Sequence, residues 1–164
     1  MKNIFKRRKE GKTNYSKRRK LLSSNLPRIA FRRTNRYVIA QYITSNEARD
    51  KVEIGVTSKE LLQHGWPKEM TGSLRSLPAS YLTGLLIGKK IKTEKKAVPI
   101  PDFGVISPNH KTRQYAFLKG LVDSGLGINP GEKEIFPSSE RIEGKHLKKD
   151  FSAIFRKIKS EIEK

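Results

Sequence analysis

The chain has 164 residues, with 36 Lys+Arg against 16 Asp+Glu for a formal charge of +20, and it contains no cysteine. That length suits a single domain with a modest core. It excludes a large multidomain machine, and the missing cysteine removes disulfide scaffolds, thiol catalysis, thiolate zinc sites and iron–sulfur clusters. No apolar run approaches the ~20 residues a membrane span needs, and the start, Met1-Lys2-Asn3-Ile4-Phe5, lacks the apolar core of roughly 7–15 residues found in a secretion signal. The expectation is a soluble, intracellular protein.

The charge is unevenly placed. Residues 1–36 hold 14 Lys+Arg and one acid, Glu10, whereas residues 37–164 hold 22 and 15. A leader this cationic repels itself and buries little apolar surface, so residues 1–24 are expected to be a poorly ordered arm that a polyanion neutralises. Thr13, Asn14, Tyr15 and Ser16 add hydroxyls, an amide and one stacking ring between two clusters, Lys6 to Lys12 and Lys17 to Lys20.

Periodicity begins after Leu26-Pro27. Arg28 to Arg32 alternates, with Ile29 and Phe31 on one face and Arg28 and Arg32 on the other. Thr34-Asn35 suits a tight turn into a second strand, Tyr37 to Ile43. Arg32, Arg33 and Arg36 crowd that hairpin with no acid nearby in sequence, and guanidinium forks match phosphate oxygens bidentately. A polar turn at Ser45-Asn46-Glu47 leads to a third strand in which Val52, Ile54 and Val56 alternate with polar residues.

The long connection 58–76 contains the single tryptophan, Trp66, read as an anchor holding the loop to the core. Leu82, Leu85 and Leu86 then mark a helix whose end gathers Lys89, Lys90 and Lys92, where cations suit the helix dipole. A fourth strand is expected over 97–103 although Pro99 and Pro101 interrupt it. A second helix over 113–124 carries Phe117, Leu118, Leu121 and Val122, with Gly125 as its stop. After an irregular stretch, Phe151, Ile154, Phe155, Ile158 and Ile162 recur at helical spacing, giving a C-terminal amphipathic helix that needs a surface to cover. The organisation is a basic arm (1–24), a globular α/β domain with a βββαβα mixed sheet (25–128) and a C-terminal extension (129–164).

Little of the chain points to catalysis. His64, His110 and His146 are scattered, without paired-ligand spacing, so no metal site is expected. Gly84 to Lys90 has three residues between its glycines and a lysine where a phosphate-binding loop needs Ser or Thr, and it lies within a helix. Asp102 and Asp123 lack the third acid of a two-metal nuclease and read as surface residues. No cofactor is expected. A metal-dependent nuclease and a membrane-surface module remain as alternatives, and neither accounts for the hairpin arginines.

The residues also carry a resemblance. The arm Lys6-Arg7-Arg8-Lys9-Glu10-Gly11-Lys12-Thr13-Asn14-Tyr15 with Arg18-Arg19-Lys20-Leu21-Leu22 resembles the N-terminus of the archaeal and eukaryotic branch of the ribosomal protein L-eighteen family. Four more blocks fall in the same order, over residues 27–41, 79–90, 119–126 and 141–146, so the likeness spans about residues 5–150. It implies a non-enzymatic component of the large ribosomal subunit in the cytoplasm. Such a protein binds 5S rRNA, helps dock it to the large rRNA in the central protuberance, and neighbours the other 5S-binding ribosomal protein. Carried over by position, the implied RNA contacts are Arg7, Arg8, Lys9, Lys12, Thr13, Tyr15, Arg18, Arg19 and Lys20 in the arm, and Arg32, Arg33, Thr34, Asn35 and Arg36 at the hairpin. The Pro-interrupted strand and the helix after Asp150 depart from the family pattern.

Overall fold

The computed structural model describes residues 5–47, 49–106, 109–131, 133–147 and 151–163. Two short helices come first, α1 (Lys6–Lys9) and α2 (Tyr15–Ser23). The domain proper follows as β1 (Arg28–Arg33), β2 (Val38–Asn46), β3 (Arg49–Thr57), α3 (Leu77–Thr93), β4 (Ile100–Asp102) and α4 (Arg113–Asp123), then α5 (Ser139–Glu143) and α6 (Ser152–Glu163). The sheet order is β3-β2-β1-β4, with β1 antiparallel to β2, β2 antiparallel to β3, and β4 parallel to β1. The mixed βββαβα sheet expected from the sequence is therefore present, with helices packed against it.

Register explains two departures. The pairing of β2 with β3 shifts between Tyr42 and Ile43, a bulge that leaves Tyr42 opposite Ile54 and Ile43 opposite Val52. A bulge changes which side chains continue on the core face. Ile54 and Val56 are buried, whereas Val52 is 47% exposed and does not join the core as the alternation predicts. The strand expected over 97–103 shrinks to Ile100–Asp102 at the sheet edge, with Pro99 outside it. An edge position tolerates Pro101, which cannot donate to a ladder.

Helix α3 is buried on nearly every side from Pro78 to Gly88. A helix this apolar all round must be covered on several faces. It packs on β2 and β3, against α4, and under α5 and α6. The C-terminal helix thus covers α3: the Phe155 ring lies 5.5 Å from Tyr81, and Phe151, which precedes α6, lies 4.7 Å from Trp66. Trp66 is 3% exposed and donates from Nε1 to the Met70 carbonyl at 3.1 Å, so it anchors the 58–76 connection as expected.

Helices α3 and α4 approach closely because each presents glycine to the other. A Cβ at Gly120 would fall 2.1 Å from the Tyr81 carbonyl oxygen, and one at Gly84 would fall 2.3 Å from the Phe117 carbonyl oxygen. Backbone cannot step aside as a flexible side chain can. Gly120→Ala is expected to force the helices apart and cost about 2 kcal/mol, within the range for overpacked cores. A urea denaturation midpoint that did not move would show that the α3–α4 contact yields instead.

Candidate nucleic-acid interface

The arm is more ordered than its charge predicts. Residues 1–4 lie outside the described part of the chain, but residues 6–9 and 15–23 are helical. Asn14 caps α2 by accepting a hydrogen bond from the Lys17 backbone N–H at 3.1 Å, satisfying one of the donors a helix start leaves open. The Phe5 and Tyr15 rings sit 5.0 Å apart. Arg7 Nε donates to Thr13 Oγ1 at 2.9 Å and closes the link between the two helices.

Helix α2 is tied to the sheet by only a few polar contacts. Lys17 Nζ donates to the Gly104 carbonyl at 3.2 Å, and an Arg18 Nη2 to Asp50 Oδ2 contact of 3.0 Å reaches the start of β3. The remaining cations of the arm stay available. Arg8, Lys9, Arg19 and Lys20 are exposed and no ion pair holds them among the described residues. Among the described residues, Lys12 pairs with Glu10 alone, at 2.8 Å on the surface, and such exposed pairs contribute little.

Beneath the arm lies an ion cluster that the sequence did not reveal. Arg28, expected on the open face of β1, is 5% exposed. Its Nη2 is in ion-pair contact with Asp50 without the alignment of a hydrogen bond, its Nη1 lies 3.8 Å from Asp102 Oδ2, and its Nε has no acceptor among the described residues. Asp102, expected at the surface, is 4% exposed. It accepts from Arg32 Nη2 at 2.8 Å and from the Gly104 N–H at 2.8 Å, while Arg32 Nη1 also donates to the Asp102 carbonyl at 2.8 Å. The parallel pairing of β4 beside β1 brings these residues together across about seventy positions of sequence. Arg32 therefore does have a carboxylate partner, contrary to the expectation for the hairpin, although 44% of its side chain stays exposed.

The electrostatics follow the contacts. Burial alone raises the Asp102 carboxyl, but the hydrogen bonds from Arg32 and the Gly104 N–H, with the Arg32 and Arg28 charges, outweigh it and hold the group below the usual carboxylate range. At Asp50, burial is likewise outweighed by Arg28, Ser45 and Arg18. Both acids are ionised near neutrality and locked into place.

The hairpin loop is longer than a two-residue turn. Arg33 pairs with Val38, leaving residues 34–37 as the connection. Thr34 closes it, with Oγ1 donating to the Tyr37 carbonyl at 2.7 Å and accepting from the Tyr37 and Arg36 N–H groups at 3.0 and 3.3 Å. The Thr34 hydroxyl is thus engaged in shaping the loop, while Arg33, Asn35 and Arg36 are exposed.

The arm meets strand β1. A cleft of about 160 Å³ between them is lined by Arg7, Lys12, Thr13 and Arg18 from the arm and by Arg28 and Arg32 from β1, with Asp102 as its acid. A shallower groove of about 470 Å³ places Tyr15, Arg18 and Arg19 beside the β2–β3 turn. The structure thus joins much of the predicted arm set to Arg32. Arg36 and Asn35 stand at the hairpin tip, outside both recesses. Sequence reasoning missed Lys17, Arg28, Asp50 and Asp102 as the residues that set the arm on the sheet. Asp102 was visible at a strand end, but nothing local showed its arginine partners.

No cluster of His, Cys, Asp or Glu fit for a metal ion occurs among the described residues, and no helix of these residues is long and apolar enough to cross a membrane.

Comparison with known proteins agrees with the geometry. Residues 1–100 match the family described as "Ribosomal large subunit proteins 60S L5, and 50S L18". The chain is 43% identical over 143 residues to the large ribosomal subunit protein uL18 of Korarchaeum cryptofilum, covering 87% of this chain and 71% of that protein. It is 41% identical to the protein of the same name from Methanoregula boonei and 38% identical to that of Methanospirillum hungatei, in each case over 87% of this chain and 79% of the relative. The chain belongs to this family of large-subunit ribosomal proteins, which serve as structural parts of the ribosome and not as enzymes.

Proposed function

We propose that this protein binds 5S rRNA and helps dock it to the large rRNA in the central protuberance, next to the other 5S-binding ribosomal protein. The observation that carries the proposal is the set of arm and hairpin cations, Arg8, Lys9, Arg19, Lys20, Arg33 and Arg36, that stand exposed without carboxylate partners among the described residues. Uncompensated cations spaced along a surface neutralise successive phosphates and release condensed counterions. Affinity for RNA of any sequence follows from that alone.

Selectivity then rests on shape. A-form RNA hides its base edges in a deep, narrow groove, so an arm held at a fixed angle to a hairpin recognises a folded RNA by the spacing of its phosphates and by non-duplex positions. Tyr15 and the hairpin arginines provide the contacts at such positions. Of the remaining residues carried over from the family, Arg7, Lys12, Thr13, Arg18 and Arg32 line the cleft beneath the arm, Thr34 shapes the hairpin loop, and Asn35 is exposed on it.

The test is a filter-binding titration of labelled 5S rRNA against unlabelled tRNA and unlabelled 5S rRNA as competitors. The expected result is displacement by 5S rRNA at concentrations at least tenfold below those of tRNA. Equal displacement by both would leave only non-specific polycation binding and would sink the 5S assignment.

A further inference from the structure

A second recess adjoins the cleft under the arm and shares Lys12, Arg32, Gly104 and Val105 with it. It has a volume of about 390 Å³ and opens between β1, the loop after β4 and the start of α4. Its size falls within the range of small-ligand pockets. Phe31 and Phe103 line it, 4% and 9% exposed, with ring centroids 6.2 Å apart in an edge-to-face arrangement. Val105 and Ile106 form an apolar rim and are 47% and 57% exposed.

The polar part of the lining has one sign. Arg33 and Arg113 both line the recess and no carboxylate does. Neither has an ion-pair partner among the described residues. Burial, together with the charges of Arg33 and Arg75, holds the Arg113 guanidinium below its usual range. Gln114, 8% exposed, adds an amide to the wall, its Oε1 lying 3.3 Å from Thr112 Oγ1.

An apolar slot with an aromatic floor, the Asn109 and Gln114 amides, and two guanidiniums without ion-pair partners among the described residues, with Lys12 and Arg32 at the same recess, matches a particular ligand chemistry. A planar base fills the slot, the Gln114 amide meets its edge, and the adjoining phosphodiester relieves the arginines. An apolar protein side chain would satisfy the slot and leave the arginines unrelieved. We propose that the recess formed by Phe31, Phe103, Ile106, Arg33, Arg113 and Gln114 receives one unpaired nucleotide of ribosomal RNA, with its base in the slot and its phosphate between the two arginines. This rests on the RNA-binding reading above and gives it a specific point of contact.

The test uses the full-length chain and transcripts of 5S rRNA and of the large rRNA, substituted in turn with 4-thiouridine and 6-thioguanosine, irradiated and mapped by mass spectrometry. Adducts are expected on the peptide carrying Phe103, Val105 and Ile106. In parallel, Ile106→Ala is expected to weaken binding of the crosslinked RNA about fivefold or more, the low end for losing one base contact, with the slope of log affinity against log salt unchanged. Arg113→Ala is expected to weaken binding similarly and to reduce that slope by about one, with Arg113→Lys partly restoring both.

Binding of either RNA with no adduct in this peptide, and with both alanine variants binding like the parent, would overturn the pocket while leaving the RNA-binding reading intact. Adducts from the large rRNA alone would support the pocket and assign its nucleotide to the large rRNA. Failure of the full-length chain to bind either RNA would overturn both. A change in salt slope for Ile106→Ala would mean the residue acts through the fold, and circular dichroism of that variant should match the parent.

Discussion

Deleting residues 1–20 is expected to weaken 5S rRNA binding by at least about a hundredfold at moderate salt while leaving the sheet and helices α3 to α6 folded. The deleted segment holds ten Lys+Arg and one acid. Lys17 and Arg18 contact Gly104 and Asp50, but several of the other cations are free to meet phosphate. If about five do so, the slope of log affinity against log salt should fall by about four. The globule should survive because the arm contributes no residue to the buried core: neither α1 nor α2 contains a buried residue. Filter binding across a salt series, with far-ultraviolet circular dichroism on the same preparations, reads both halves of the expectation. A truncated protein that bound 5S rRNA as tightly as the parent would remove the arm from the interface.

Replacing Asp102 with alanine should have the largest effect on stability, about 3 kcal/mol, the lower end for stripping one partner from a buried ion cluster. The loss leaves Arg28, 5% exposed, with Asp50 as its remaining counter-ion, and it frees Arg32 from the edge of the sheet. It also removes the acceptor for the Gly104 N–H, in the same residue whose carbonyl receives Lys17 of the arm. The variant should therefore lower the urea midpoint and increase protease cleavage within residues 5–24. The Asp102 carboxyl is held below its ordinary value, so its stabilising effect is fully present above the unfolded-state value of about 4 and disappears as the pH falls through the lower folded-state value. The difference in stability between parent and Asp102→Ala should accordingly be constant from pH 7 to about 5 and shrink in more acidic solution. A difference unchanged down to pH 2 would mean that the carboxylate charge is not what holds the cluster.

Local pattern was a good guide wherever the controlling physics is local. The alternation of Ile29 and Phe31, the helical recurrence of Leu82, Leu85 and Leu86, and the stripe from Phe151 to Ile162 each state how a segment must face an apolar interior, and each segment faces it that way. The surplus of cations before residue 37 likewise needs no fold to be recognised, since charge density and its appetite for polyanions are properties of the chain itself. What covers the last helix was not legible, because an amphipathic stripe specifies only that a partner exists; packing chose α3.

The candidate interface divides along the same line. Charge clustering marked the arm as cationic and residue type marked Arg33 and Arg36, while the family resemblance named Arg8, Arg19 and Lys20 as RNA contacts; all five are exposed. The docking of the arm depends instead on Arg28, Asp50 and Asp102, which lie on three different strands and meet only because β4 adds in parallel beside β1 and β2 folds back to β3. Asp102 read alone is an acid at a strand end. Whether such an acid is solvated or buried among arginines is decided by strand order, through contacts between residues far apart in the chain, and no local sequence signal encodes that distance. The composition of this protein determined that it meets a polyanion, whereas tertiary pairing determined the angle at which its arm and hairpin are presented.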